Sequence, residues 1–144
     1  MLLKIIIFIH ILCATIWTGG HLVLTLGFLP RAIKDKDLSI IDQFESKYER
    51  VGIPALIILV ITGMHLAATY TTNFFGFDFS IHHNRHIYYK FILLIMTIIL
   101  AVHARFVLIP KKKLKPLVYH IILATILSVM FIFVGFSVRS GGLL

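Results

Sequence analysis

Histidine is the side chain with the most chemistry to offer in this sequence. There are eight: His10, His21, His65, His82, His83, His86, His103 and His120. Five of them (His10, His21, His65, His103 and His120) stand inside long apolar runs. There a neutral imidazole is a ready ligand for iron or copper, and an ionisable group is costly enough to mark a functional site by default. His10 and His21 are eleven residues apart. At ~100° per residue that spacing overshoots three turns by about 20°, so both lie on one stripe of one helix, roughly 16 Å apart along its axis. Cys13 and Trp17 fall on the same stripe. The plainer reading is that each imidazole is neutral and hydrogen-bonded to a neighbouring helix. The recurrence of histidine in the other apolar runs favours ligation.

The elements that must position these residues are membrane spans. Of 144 residues, 59% are hydrophobic, and the mean hydropathy is +0.98. A soluble domain of this size could not hide so much apolar surface from water. The formal net charge of +8 does not point to nucleic acid, because the Lys and Arg residues collect in loops and at span ends, where they set topology. The single cysteine excludes an internal disulfide and a Cys-based zinc site. The opening Met-Leu-Leu-Lys and the apolar run after it resemble a signal peptide. That run continues to Phe28 with no clear small-residue cleavage site, so it reads as a retained span.

Four runs are long enough to cross a hydrocarbon layer that needs ~20 residues: about 5–28, 51–70, 87–109 and 116–138. The first is expected to stop before Pro30 and the third before Pro110. Pro54 is expected in the first turn of the second span, and Pro116 at the start of the fourth. Within the charged loop 31–50, the stretch Leu38–Tyr48 has apolar residues at helical spacing, which predicts an interfacial or helix-extending segment. The loop 71–86 is aromatic and histidine-rich. One side of the membrane would carry Arg31, Lys34, Lys36, Lys47, Arg50, Arg105, Lys111, Lys112, Lys113 and Lys115; the other, Lys4, Arg85, Lys90 and Arg139. Ten against four places the first and third loops in the cytoplasm, and both termini and the histidine loop outside. The expected fold is therefore all-α: an integral membrane antiparallel four-helix bundle, a single transmembrane domain over residues 1–144 with both termini outside.

Depth along the spans groups the histidines. His10 and His65 each lie five residues from the outer end of their span, roughly 7 Å deep. His21, His103 and His120 lie near the inner ends, within roughly 5 Å of depth of one another. Bis-imidazole haem needs two neutral histidines from different helices at one depth, with small residues beside the macrocycle; Gly19, Gly20, Gly27 and Gly63 are candidates. Copper uptake needs soft ligands along a path, and these are few: Cys13, Met64, Met96 and Met130. Ligand type favours haem b, one or two groups, over copper. At the inner site a haem takes two of the three histidines, His21 with His103 by preference, leaving the third as a partner or proton carrier. Arg105 and Arg139 are candidates to pair with propionates, with snorkelling as the plainer role. His82, His83, His86 and Asp78 form an outer-loop set that could collect a metal ion. No nucleophile–base arrangement, phosphate loop or intramembrane carboxylate pair is present.

Short motifs then invite a resemblance. His10 followed by Trp17-Thr-Gly19-Gly20, Ile61-Thr62-Gly63-Met-His-Leu in the second span, and His86-Ile-Tyr-Tyr-Lys90 opening the third are similar to the CopD (copper-resistance protein D) family. That resemblance covers nearly the whole chain and implies copper uptake across a bacterial inner membrane. The layout, the length and Gly27-Phe-Leu29-Pro30-Arg31 also resemble the HemJ-type protoporphyrinogen oxidases, which bind haem. The additional His21, His103 and His120 depart from the copper pattern and favour a redox cofactor.

The expected function is a b-type haem protein of the bacterial inner membrane that moves electrons or oxidises a membrane-associated substrate. Its partners would be the lipid bilayer and a redox partner or a quinone-like or porphyrin substrate, with no nucleic acid; a homo-oligomer is compatible with this reading. Two alternatives stand beside it: copper uptake, and a structural subunit whose histidines are merely satisfied.

Overall fold

A computed structural model describes residues 1–71, 79–111 and 113–140, the side chain of residue 139 excepted. Its described residues are helical, without a strand. α1 spans Leu2–Val23 and runs through one π-helical turn, Leu24–Phe28, into α2, Leu29–Asp35. The first rod thus passes Pro30, where the sequence predicts a stop. Proline lacks an N–H and its ring crowds the carbonyl four residues back. The wider π turn just before it leaves that ring room, and Pro30 enters α2 within the first two positions. The rod ends at Lys36, whose φ of 52° is left-handed and turns the chain. Asp37 then accepts hydrogen bonds from the Ser39 amide and hydroxyl, both at 2.8 Å, which hold its carboxyl below the usual range.

α3 spans Ser39–Tyr70, so the charged stretch before the second span extends that helix. Pro54 accordingly lies in the helix interior and not in a first turn. α4 spans His82–His103, earlier than expected, and passes through a second π turn, Ala104–Leu108. α5 spans Leu114–Arg139, with Pro116 in its first turn. All four rods are long and apolar enough to cross a membrane.

The four form a bundle in which α1 is sandwiched between α3 and α5, α5 also packs on α4, and α3 meets α4 only lightly. The clearest α3–α4 links are near the two ends: Arg105 to Glu49 at 2.8 Å, and the Tyr70 ring beside His83 at 6.2 Å. α5 is the most enclosed rod, 33% of its most apolar stretch being buried against 11% in each of the others. Aliphatic burial concentrates at one end, where Leu24, Leu29, Ala32, Ile41, Leu108, Leu117 and Ile121 cluster around the two π turns.

Elsewhere helices join through small and hydroxylated residues. Thr18 donates to the Ser128 carbonyl at 3.2 Å, and the Thr25 and Thr125 hydroxyls meet at 2.6 Å. The Tyr48 ring lies between Gly20 and Gly52, its hydroxyl donating to the Ile16 and Trp17 carbonyls at 3.0 and 3.2 Å. A Cβ on Gly52 would come within 2.6 Å of that ring, and one on Gly20 closer still. Such a seam suits a medium in which hydrocarbon outside competes equally for apolar side chains, so that close approach and internal hydrogen bonds hold the rods together.

Candidate functional site

All four long helices contribute at the level of His10. Its Nδ1 lies 2.9 Å from the Thr62 hydroxyl. That hydroxyl already donates to the Ile58 and Leu59 carbonyls at 2.7 and 3.2 Å, so it must accept from the imidazole. His10 is therefore held with its proton on Nδ1 and its lone pair on Nε2, the tautomer of a metal-ligating histidine whose other nitrogen is fixed by a polar partner. Gly63 makes room for the ring, because a Cβ there would stand 3.1 Å from His10 Cε1. From α4, Lys90 lies within electrostatic reach of His10. Its ammonium packs on Gly135 of α5, 3.3 Å from where a Cβ would sit.

The other candidates are distributed differently from their depth grouping. His65, expected to share the His10 site, is exposed, and Thr62 one turn earlier is the side chain that meets His10. His21 stacks edge-on with Trp17 at 4.7 Å, and its buried Nε2 has no hydrogen-bond partner. His103 and His120 meet each other directly, 2.8 Å between ring nitrogens. Gly20 is occupied by Tyr48 and Arg105 by Glu49. His82, His83 and His86 open α4 instead of lying in a loop: the His82 and His86 rings are 4.2 Å apart, and His86, fully buried, is bonded to the His82 carbonyl at 2.7 Å and to Ser137 at 3.0 Å. Asp78 and the side chain of Arg139 lie outside the described residues. Among the described residues no three His, Cys, Asp or Glu side chains converge as a metal site. The soft side chains do not gather either: Met64, Met96 and Met130 are exposed, whereas Cys13 is buried.

Sequence reasoning missed Thr62, Lys90 and Gly135 as site residues. Lys90 carried a signal as an ammonium inside an apolar span, and Lys90 and Thr62 both stand in the motifs that carry the resemblance without being read as site residues. Gly135 carried none, since small residues are common in such helices.

The fold and site define a class: a helical protein with four membrane-length helices, and a tautomer-locked histidine beside a lysine between them. Compared with family models, with curated proteins and with solved structures, the chain matches none.

Proposed function

We propose that the chain is a b-type haem protein of the bacterial inner membrane, with His10 supplying an axial imidazole, and that it transfers electrons or oxidises a substrate dissolved in the membrane. The observation that carries this reading is the His10–Thr62 bond, which turns the Nε2 lone pair to the task of a ligand. Lys90 supplies a cation that would pair with a propionate or with charge developing on a substrate. The orphaned Nε2 of His21, about three turns further along the same helix, would serve a separate second haem and not the His10 site. Bound haem would supply one-electron chemistry; His10 would hold it and Lys90 would pair with its charge. The resemblance to HemJ-type proteins supports the same assignment, whereas that to the CopD family implies copper uptake.

The helix pairings fit an antiparallel arrangement: His10 meets Thr62 while Gly20 meets Tyr48, and Lys90 meets Gly135 while His103 meets His120. With ten basic residues on one side and four on the other, we place both termini outside. The light α3–α4 contact offers a quinone-like or porphyrin substrate a way in from the lipid. Copper uptake is less well supported, because its soft candidate ligands are split between three exposed methionines and the buried Cys13.

The test is the reduced-minus-oxidised visible spectrum, with a pyridine haemochrome, of protein purified in mild detergent. Sharp visible bands that disappear in His10→Ala are expected. A featureless spectrum would overturn the haem reading.

A further inference from the structure

His103 is the last residue of α4, and His120 lies in the second turn of α5, beyond a short connection. Their ring nitrogens Nδ1 and Nε2 are 2.8 Å apart. His120 Nδ1 faces the Pro116 carbonyl at 3.1 Å, and a carbonyl can only accept, so the proton of that ring is on Nδ1. Its Nε2 therefore accepts, and His103 Nδ1 donates. The result is two neutral imidazoles sharing one proton between two nitrogens. His103 is exposed and His120 half-buried, so the pair is reachable. The helices beneath it are packed together: Leu108, Leu117 and Ile121 are buried in the aliphatic cluster.

We propose that His103 and His120 form a chelating site in which a divalent late-transition-metal ion takes the place of the shared proton. The His103 proton moves from Nδ1 to Nε2 of the same ring, so both rings stay neutral, no proton is released and nothing is oxidised or reduced. The ion then bonds to His103 Nδ1 and His120 Nε2. The 2.8 Å separation is the length of the hydrogen bond, so the rings rotate slightly to share an ion, and imidazole nitrogens completed by water suit a Cu(II) or Ni(II) ion. The His120 Nδ1–H···O=C bond to Pro116 is the outer contact that orients such a ligand. No third His, Cys, Asp or Glu joins the pair among the described residues, so water completes the coordination and the site is open to exchange. The site is independent of His10 and does not rest on the haem reading.

The experiment uses the full chain in detergent micelles with Cu2+ as a spectroscopic probe. At one equivalent, electron paramagnetic resonance should show a tetragonal ion coupled to two imidazole nitrogens. The same signal is expected in His10→Ala, and in His82→Gln/His83→Gln, which lacks two competing imidazoles. His103→Gln and His120→Gln should each lose the two-nitrogen pattern and bind at least tenfold more weakly. On the unaltered chain, Cu2+ should also shield His103 and His120 from diethylpyrocarbonate, read by mass spectrometry, which keeps the test valid if either variant fails to fold. Unchanged spectra and affinity in both folded variants, or equal labelling of the pair with and without Cu2+, would overturn the proposal.

Discussion

The Thr62 hydroxyl, with the Leu59 carbonyl beside it, decides which nitrogen of His10 is available. Replacing Thr62 with Val keeps the shape but removes one of these two partners of the imidazole, at a cost of about 0.5–1.5 kcal/mol. Thr62→Val should therefore purify with less haem and a lower melting temperature, whereas Thr62→Ser should behave as the parent; equal haem content in all three would dissociate the hydroxyl from the site. Lys90 tests the other half. Lys90→Met should leave helix content unchanged and move the reduction potential of the bound group, since it removes a cation from its neighbourhood; an unchanged potential would show that Lys90 faces something else. The candidate histidines were legible in the sequence because an ionisable ring in an apolar run is conspicuous. Their partners were not, because depth along a helix says nothing about rotation around it. His10 and His65 share a depth, yet His10 turns inward and His65 outward.

At the level of elements, the four long apolar helices were readable from hydrophobic length alone, and their boundaries were not. Pro30 reads as a terminator, but a π turn absorbs the ring. The charged stretch before Val51, read from its spacing as an interfacial or helix-extending segment, does extend the helix, which is continuous from Ser39. Hydropathy marks where hydrocarbon ends, and a helix stops only where its backbone hydrogen bonds do. The glycines of these helices are not equivalent. Gly20→Ala forces a rigid, doubly anchored Tyr48 ring away from α1, so it should cost about 1–3 kcal/mol as overpacking does. Gly135→Ala meets only the flexible end of Lys90 and should cost less. Thermal unfolding of the two variants in the same detergent gives the order, and a more damaging Gly135→Ala would show the Tyr48 contact to be slack.

For the whole molecule, orientation follows from charge, and it is directly testable. A periplasmic reporter fused to the C-terminus should be active and a cytoplasmic one silent; the reverse would invert the bundle and with it the side that α4 presents at His82 and His83.

The seam of Thr18, Thr25, Thr125 and Ser128 has a further consequence, for how this chain tolerates change. In a water-soluble protein the intolerant positions are the large aliphatic ones. Here Ile57, Ile61 and Ile99 are exposed and would be exchanged for Leu or Val at almost no cost. Thr18 and Ser128, at 3% and 1% exposure, join α1 to α5 where there is no space for a larger side chain. A saturation substitution map should therefore be inverted relative to that of a soluble helical bundle, with its deepest troughs at the smallest residues and its plateaus at the greasiest.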